Sequence, residues 1–228
     1  PQAGRQRQFH QFGVEALGIP TPAIDAEVIL LAVQILRSLG LRDLQLKINT
    51  VGCPNCRPAY RLKLQDYFRP HLAELCKDCQ GRFERNPMRI LDCKNERCHA
   101  LAAGAPKLAE CLDEECKQHF AAVQELLTAA GVEFTIDPTL VRGLDYYTRT
   151  AFEIQYPPLG AQSAVCGGGR YDGLVEEIGG PATPGIGFAM GLERVLLALQ
   201  SQNLLPASKA AMDVFVVAPK PEVAALTF

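Results

Sequence analysis

Four short stretches of this sequence bring charge, aromatic rings and glycine close enough together to do chemistry. In the first, Arg5 and Arg7 alternate with Gln6 and Gln8 ahead of Phe9, His10 and Gln11. On an extended strand Arg5, Arg7, Phe9 and Gln11 share one face. Two guanidiniums and an amide in line suit a polyphosphate and a polar ligand, and a solvated strand with ordinary surface arginines is the plain alternative. The second stretch, Leu140-Val-Arg-Gly-Leu-Asp-Tyr-Tyr-Thr148, follows the turn signal Asp137-Pro138. It sets Arg142 beside Gly143, a fixed cation where backbone can approach a ligand. Tyr146 and Tyr147 point to opposite sides of an extended chain, so both serve one pocket only if the chain bends; otherwise they are core rings. The third, Gly167-Gly-Gly-Arg-Tyr-Asp-Gly173, reads as a glycine-rich turn that brings Arg170 or Tyr171 to a small ligand. It lacks the Lys-Ser/Thr of a Walker loop, and Asp172 stands at the last glycine place of a dinucleotide fingerprint. The fourth, Gly185-Ile-Gly-Phe-Ala-Met-Gly-Leu-Glu-Arg194, reads as a strand running into a helix. Arg194 then lies in the first helical turn, where the macrodipole gives a cation no help; it serves an anionic ligand or is simply exposed.

Eight of the nine cysteines fall between Cys53 and Cys116. Cys53-x2-Cys56 and Cys76-x2-Cys79 are 19 residues apart, the spacing of a two-knuckle zinc site, and Pro54 stiffens the first knuckle. Cys93-x4-Cys98 and Cys111-x4-Cys116 are looser and fit a metal less well. The expectation is one Zn2+ held by Cys53, Cys56, Cys76 and Cys79, against the alternative of buried reduced thiols. A continuous helix over Arg57–Asp78 would hold the two pairs about 30 Å apart, so the metal requires that helix to turn. An odd cysteine count and no signal-like apolar start point to a reducing cytoplasm.

These groups need elements to position them. Thr21-Pro22 starts a helix in which Ile24, Val28, Leu31, Ile35 and Leu39 recur at helical spacing until Gly40. Leu44, Leu46 and Ile48 alternate as a strand. Arg57–Asp78 reads as a charged amphipathic helix and Cys116–Ala130 as another, followed by strands at Phe134–Ile136 and Thr148–Gln155. The composition, 48% hydrophobic and 21% charged, supports a core and excludes disorder; no apolar run approaches the ~20 residues of a membrane span. A net charge of −2 conceals a basic segment, Arg57–Arg97, with ten Lys/Arg against six Asp/Glu. Such a segment suits a polyanion as well as a solvated helix face.

Together the four stretches resemble a class II aminoacyl-tRNA synthetase of the histidyl-tRNA synthetase family. PQAGRQRQFHQFGVEALG is similar to the second half of class II motif 2, LVRGLDYYTRTAFE to the first histidine signature, GGGRYDGL to the second and GIGFAMGLERVLLAL to motif 3. The Cys-rich stretch resembles the insertion domain of many bacterial members. The resemblance implies an α+β fold: an antiparallel sheet flanked by helices, with catalytic core at 1–50 and 121–207. A helical insertion fills 51–120, and 208–228 opens an α/β anticodon-binding domain.

The activity implied is ATP-dependent activation of histidine to histidyl-adenylate and its transfer to tRNA(His), with Mg2+ on the ATP. Gln11 and Glu15 would hold the histidine, Tyr146 and Tyr147 its imidazole, with Tyr171 nearby. Arg142 would act catalytically at the α-phosphate, Arg194 would bind the γ-phosphate, and Arg5 and Arg7 would lie near the phosphates and the tRNA end. A cytoplasmic homodimer without membrane contact is implied for the full-length protein. Motif 1 and the start of motif 2 are missing, so the 228-residue chain by itself is expected to be an inactive fragment. The alternative is the non-catalytic relative that regulates ATP phosphoribosyltransferase, which shares the fold but generally lacks the Arg-Gly-Leu-Asp-Tyr-Tyr signature.

Overall fold

The computed structural model describes residues 6–141, 145–205, 217 and 220. Among these, six strands form one sheet in the order β1-β6-β5-β4-β2-β3: β1 Gln11–Leu17, β2 Gln45–Thr50, β3 Thr135–Ile136, β4 Thr148–Gln155, β5 Ala164–Arg170 and β6 Gly185–Gly191. Every neighbouring pair is antiparallel except β2 with β3. The expected α+β class, an antiparallel sheet with helices, is what the chain adopts.

Thr21 is extended (φ −76°, ψ 151°) and Pro22 opens α1, Pro22–Ser38, although the Thr21 side chain caps nothing. The missing N–H of proline is no loss at a helix start. Between β2 and the long helix α6, Glu114–Ala129, run four short helices: α2 Arg57–Phe68, α3 Lys77–Arg85, α4 Met88–Leu91 and α5 Glu96–Ala102. The single helix expected over Arg57–Asp78 is therefore broken. Pro70 lacks an N–H and its ring would clash with the carbonyl four residues back. The chain tightens into a 3-10 turn at Arg69–Glu74 and restarts after Cys76. Two further helices follow among the described residues, α7 Leu174–Glu177 and α8 Leu192–Ser201.

Two apolar cores result. One lies between the sheet and helices α1, α6 and α8, with Ile29, Leu36, Ile48, Leu127, Phe152 and Ile186 at its centre. The other, inside the insertion, packs Tyr60, Leu64, Phe68, Phe83 and Ile90, and reaches Val141 and Ala151 of the sheet-bearing part. The third of the four stretches departs from its expected form: Gly167–Gly169 are extended residues of β5, and the turn begins only at Tyr171. Likewise the strand expected from Arg5 begins at Gln11, so the shared face of Arg7, Phe9 and Gln11 is not formed. The segment 208–228, expected to open an anticodon-binding domain, lies outside the described residues except for Val217 and Lys220.

Candidate active site

Alternation along the strands gives the sheet two unlike faces. One carries Ile186, Phe188 and Met190 of β6, Phe152 and Ile154 of β4, and Ile48 of β2 into the main core. On the other, the register sets Gln11, Gly13 and Glu15 of β1 beside Gly191, Ala189 and Gly187 of β6, then Gly167 and Gly169 of β5 and Ala151 of β4. Small residues in four adjacent strands leave a shallow trough. Gln11 and Glu15, four residues apart on one side of β1, stand about 13 Å from each other along it.

At the Glu15 end three tyrosines meet. The Tyr146 and Tyr147 rings lie 4.7 Å apart at 42°, and Tyr146 meets Tyr171 edge-on at 5.9 Å. Residues 145–146 form a turn, which is the bend that both rings require to face one pocket. The Tyr171 hydroxyl donates to the Glu15 carboxylate. Burial, and then this hydrogen bond, push the Tyr171 phenol well above its ordinary range. Glycine makes the arrangement possible. A methyl group on Gly187 would overlap the Glu15 carboxylate, and one on Gly169 would come within 2.8 Å of Tyr147 Cδ1.

At the other end a cleft of about 350 Å³ is lined by Gln11, Gly167, Ala189, Glu193 and Arg194, with Phe9 at its rim. Arg194 is buried in the first turn of α8 and its Nε donates to the Ala164 carbonyl. His10 ties the preceding loop to the same helix: its backbone N–H and its Nδ1 both reach Glu193, at 2.9 Å. The His10 contact holds the Glu193 carboxyl below its usual range. Arg7 is exposed on this loop. Of the sequence-selected residues, Glu15, Tyr146, Tyr147 and Tyr171 gather at one end and Gln11 and Arg194 at the other. Arg5 and Arg142 lie outside the described residues.

Sequence reasoning missed the network that anchors the tyrosine end. Asp25 of α1, fully buried, accepts from Arg170 Nε at 3.0 Å, from His119 Nε2 at 2.8 Å and from Thr150 Oγ1. Arg170 also reaches Asp172 at 2.8 Å and the Ile19 and Thr21 carbonyls. Of the pair Arg170 and Tyr171, it is Tyr171 that faces the trough, whereas Arg170 points into the fold. Burial alone would raise the Asp25 carboxyl, but hydrogen bonds from His119 and Arg170 outweigh it and hold the group below its usual value.

The insertion meets the tyrosine end directly. Arg57 donates to the Val51 and Asp145 carbonyls at 3.1 and 3.2 Å, and the Asn86 side chain donates to Asp145 Oδ1 at 2.7 Å. A second cleft, about 450 Å³, opens there among Arg57, Arg61, Arg85, Asp145 and Tyr147. None of the nine cysteines forms a disulfide. The single set Cys53, Cys56, Cys76 and Cys79 does not assemble. The break at Pro70 sends Cys76 and Cys79 to Cys93 and Cys98, while Cys53 and Cys56 meet Asp113 and Cys116. Cys111, paired by spacing with Cys116, belongs to neither set.

Comparison with known proteins places this geometry. The family model described as histidyl-tRNA synthetase matches residues 1–55 and 64–195. A histidine–tRNA ligase from Desulforamulus reducens is 61% identical over 204 residues, 90% of this chain and 49% of its own length. One from Moorella thermoacetica is 59% identical over 217 residues, 95% of this chain and 51% of its own. The chain thus spans about half the length of the curated relatives it matches. The crystal structure of apo Staphylococcus aureus histidyl-tRNA synthetase superposes with a TM-score of 0.71 at 43% identity, covering 88% of this chain and 49% of that one. With the family model matching most of its residues and the trough lined by the motifs that model spans, the chain belongs to the histidyl-tRNA synthetase family.

Proposed function

We propose that the chain supplies the trough in which histidine is activated by ATP to histidyl-adenylate, with transfer to tRNA(His) as the second step. The observation that carries this is the Glu15–Tyr171–Tyr146–Tyr147 cluster, open to a glycine floor that leads to Arg194. On this proposal the Glu15 carboxylate holds the α-ammonium of histidine, and Tyr171 fixes that carboxylate by donating to it. Tyr146 and Tyr147 bracket the imidazole. Gln11 stands between amino acid and nucleotide, and Arg194 takes the γ-phosphate with Arg7 on the loop beside it and Arg5 as a further phosphate contact. The histidine carboxylate attacks the α-phosphorus in line and pyrophosphate leaves. Arg142, on the segment between Val141 and Asp145, would stabilise the charge that develops on the phosphate oxygens, electrostatic work that needs no proton transfer. Holding both reactants along one floor supplies the rest of the advantage as orientation.

Glu193 is the carboxylate lining the cleft, and it is already tied to His10. Mg2+ would arrive with ATP and supply neutralisation of the phosphate charge, with Glu193 as the cleft carboxylate able to help hold it. Zn2+, where bound, would be structural and confined to the insertion. On the same proposal residues 1–50 and 121–207 form the catalytic core, 51–120 the insertion and 208–228 the opening of an anticodon-binding domain. The exposed arginines and lysines of the insertion would face the phosphates of the tRNA acceptor arm, and the full-length enzyme would be a cytoplasmic homodimer. Among the described residues no helix is long and apolar enough to cross a membrane. The regulatory alternative generally lacks the Arg-Gly-Leu-Asp-Tyr-Tyr signature, which stands here at residues 142–147.

The test is histidine-dependent ATP–pyrophosphate exchange in the protein that carries this sequence. Tyr171→Phe and Glu15→Gln should each raise KM for histidine by roughly ten- to a hundred-fold, the loss of one charge-assisted hydrogen bond. An unchanged KM for histidine in both variants would refute the assignment.

A further inference from the structure

The insertion contains eight ligand atoms that the trough does not use, and they sit in two tight sets. In each set, Cys53–Cys56–Asp113–Cys116 and Cys76–Cys79–Cys93–Cys98, all four ligand atoms lie within 4.8 Å of one another. A tetrahedron with metal–sulfur bonds of about 2.3 Å has edges of about 3.8 Å. Two measured edges, Cys53 Sγ to Cys56 Sγ at 3.5 Å and Cys76 Sγ to Cys93 Sγ at 3.9 Å, match that length.

The local backbone is built for this convergence. In the first set a tight turn, with the amides of Cys56 and Arg57 both on the Cys53 carbonyl, aims two thiols one way. Asp113 caps α6 through Oδ1, which accepts from the Cys116 amide at 2.8 Å, and its Oδ2 lies 3.1 Å from Cys53 Sγ. In the second set Cys76 and Cys79 flank the start of α3, Cys93 follows α4, and Cys98 enters the first turn of α5. Each set also receives a backbone amide on sulfur at 3.2 Å, from Asp113 to Cys56 and from Cys76 to Cys98. Amides pointing at sulfur orient and stabilise thiolate ligands. Each has a cation alongside as well: Arg82 Nη1 is 3.8 Å from Cys79 Sγ, and Arg57 directly follows Cys56 in the chain. Four thiolates, or three thiolates and a carboxylate, around a divalent ion leave an excess of two negative charges, which such cations offset.

The surroundings explain the need. The insertion's own helices run only 4 to 12 residues, too short to persist alone. A small core of this kind gains much of its stability from staples. The first set lies at the neck, where the chain leaves β2 and returns into α6; the second ties α3 to α5.

We propose that the insertion carries two structural sites for a thiophilic divalent cation of the zinc type, a four-thiolate site at Cys76, Cys79, Cys93 and Cys98 and a site of three thiolates and one carboxylate at Cys53, Cys56, Asp113 and Cys116. Soft thiolates in tetrahedral array select such ions over Mg2+ or Ca2+. The proposal stands independently of the catalytic assignment. Its test is metal analysis of the chain, expressed with zinc supplied and purified in reducing, chelator-free buffer. Two equivalents of zinc per chain are expected, falling to one in Cys79→Ser, to one in Cys116→Ser and to none in the double variant.

Wild-type protein gives a second measurement that no folding defect can spoil. Titration with a mercurial should release two zinc equivalents to a colorimetric chelator, and cobalt exchange should give the intense visible bands of tetrahedral thiolate coordination. A ratio of zero in wild type overturns the proposal. So does a single equivalent abolished by either substitution, which would mean one ion shared across both sets.

Discussion

Asp25 offers the sharpest test of how the tyrosine end of the trough is held. Its carboxylate is fully buried among donors from three elements: Arg170, His119 and Thr150. In Asp25→Asn one side-chain oxygen still accepts, but the other becomes an NH2 group that faces donors. Charge-assisted hydrogen bonds contribute about 1.5–3 kcal/mol each. Arg170, with its side chain fully buried, would keep Asp172 as its remaining anionic partner among the described residues. Removing one partner from a buried ion pair costs about 3–5 kcal/mol, and the acceptor that Asn retains places this change near about 3 kcal/mol. With a urea m-value of about 3 kcal/mol/M for a chain of this size, the midpoint should fall by about 1 M. Far-UV circular dichroism reads it, since the chain has no tryptophan. Thr150→Val removes one neutral donor and should cost about 1 kcal/mol, or about 0.3 M. The reasoning is refuted if Asp25→Asn shifts the midpoint no further than Thr150→Val does.

The pH dependence separates charge from packing. Asp25 is held below its unfolded pKa, so its contribution is present above about pH 3.9 and is lost as pH falls through the lower folded value. The gap between wild type and Asp25→Asn should therefore be constant around neutrality and close only in acid. A gap that persisted there would be a packing defect instead.

Three further outcomes follow from the same geometry. Gly191→Ala should stabilise the fold by about 0.4–1 kcal/mol, because its added methyl meets only Arg194 carbons at 3.6 Å and its φ of −78° suits any residue; Gly187→Ala should destabilise by about 1–3 kcal/mol and raise KM for histidine, since the methyl displaces Glu15. Thermal denaturation and pyrophosphate exchange distinguish the two. Arg194→Ala should raise KM for ATP by roughly ten-fold or more while leaving KM for histidine nearly unchanged, in the same exchange assay. In an alkaline titration followed by tyrosinate absorbance, Tyr60 and Tyr171 should ionise only as the chain unfolds, since burial raises both phenols. Their contribution is full below the unfolded value of about 10 and is lost as pH rises above it, so stability should decline there.

Much of this was legible in the sequence because it is local. Thr148–Gln155 alternates, and it is a strand with those bounds. Thr21-Pro22 opens a helix, and the glycine-punctuated run from Gly185 becomes a strand leading into α8. Pro70 was equally visible, but the apolar spacing from Tyr60 to Leu75 on either side of it reads as one helix. Gly167–Gly169 suggest a turn by composition, yet they are held extended by β4 on one side and β6 on the other. What was not legible is partner choice over distance. Asp25 and Arg170 are 145 residues apart. Cys53 and Cys116 meet only because α6 returns to the neck, and no spacing rule links Cys79 to Cys98. In each case the tertiary fold selects among partners of similar chemistry, and local pattern carries no information on that choice.

The glycine floor also shows why the trough needs the network behind it. Glycine in a strand costs roughly 0.5–1 kcal/mol relative to alanine, and Gly13, Gly167, Gly169, Gly185, Gly187 and Gly191 all occupy strand positions on the trough side. The same strands must therefore gain their stability from the opposite face, where Phe152, Ile186 and Phe188 are almost wholly buried. Because side chains alternate, a slip of one residue in β6 would put Phe188 into the trough and glycine into the core. Register is thus a functional property here. Apolar packing fixes it at β6, while in β5, which adds only Val165 and Cys166 to that core, Arg170 also fixes it by reaching across to Asp25 on α1. The buried ion pair sits one residue before Tyr171, so the charge that pins β5 in register also sets the position of the hydroxyl that meets Glu15.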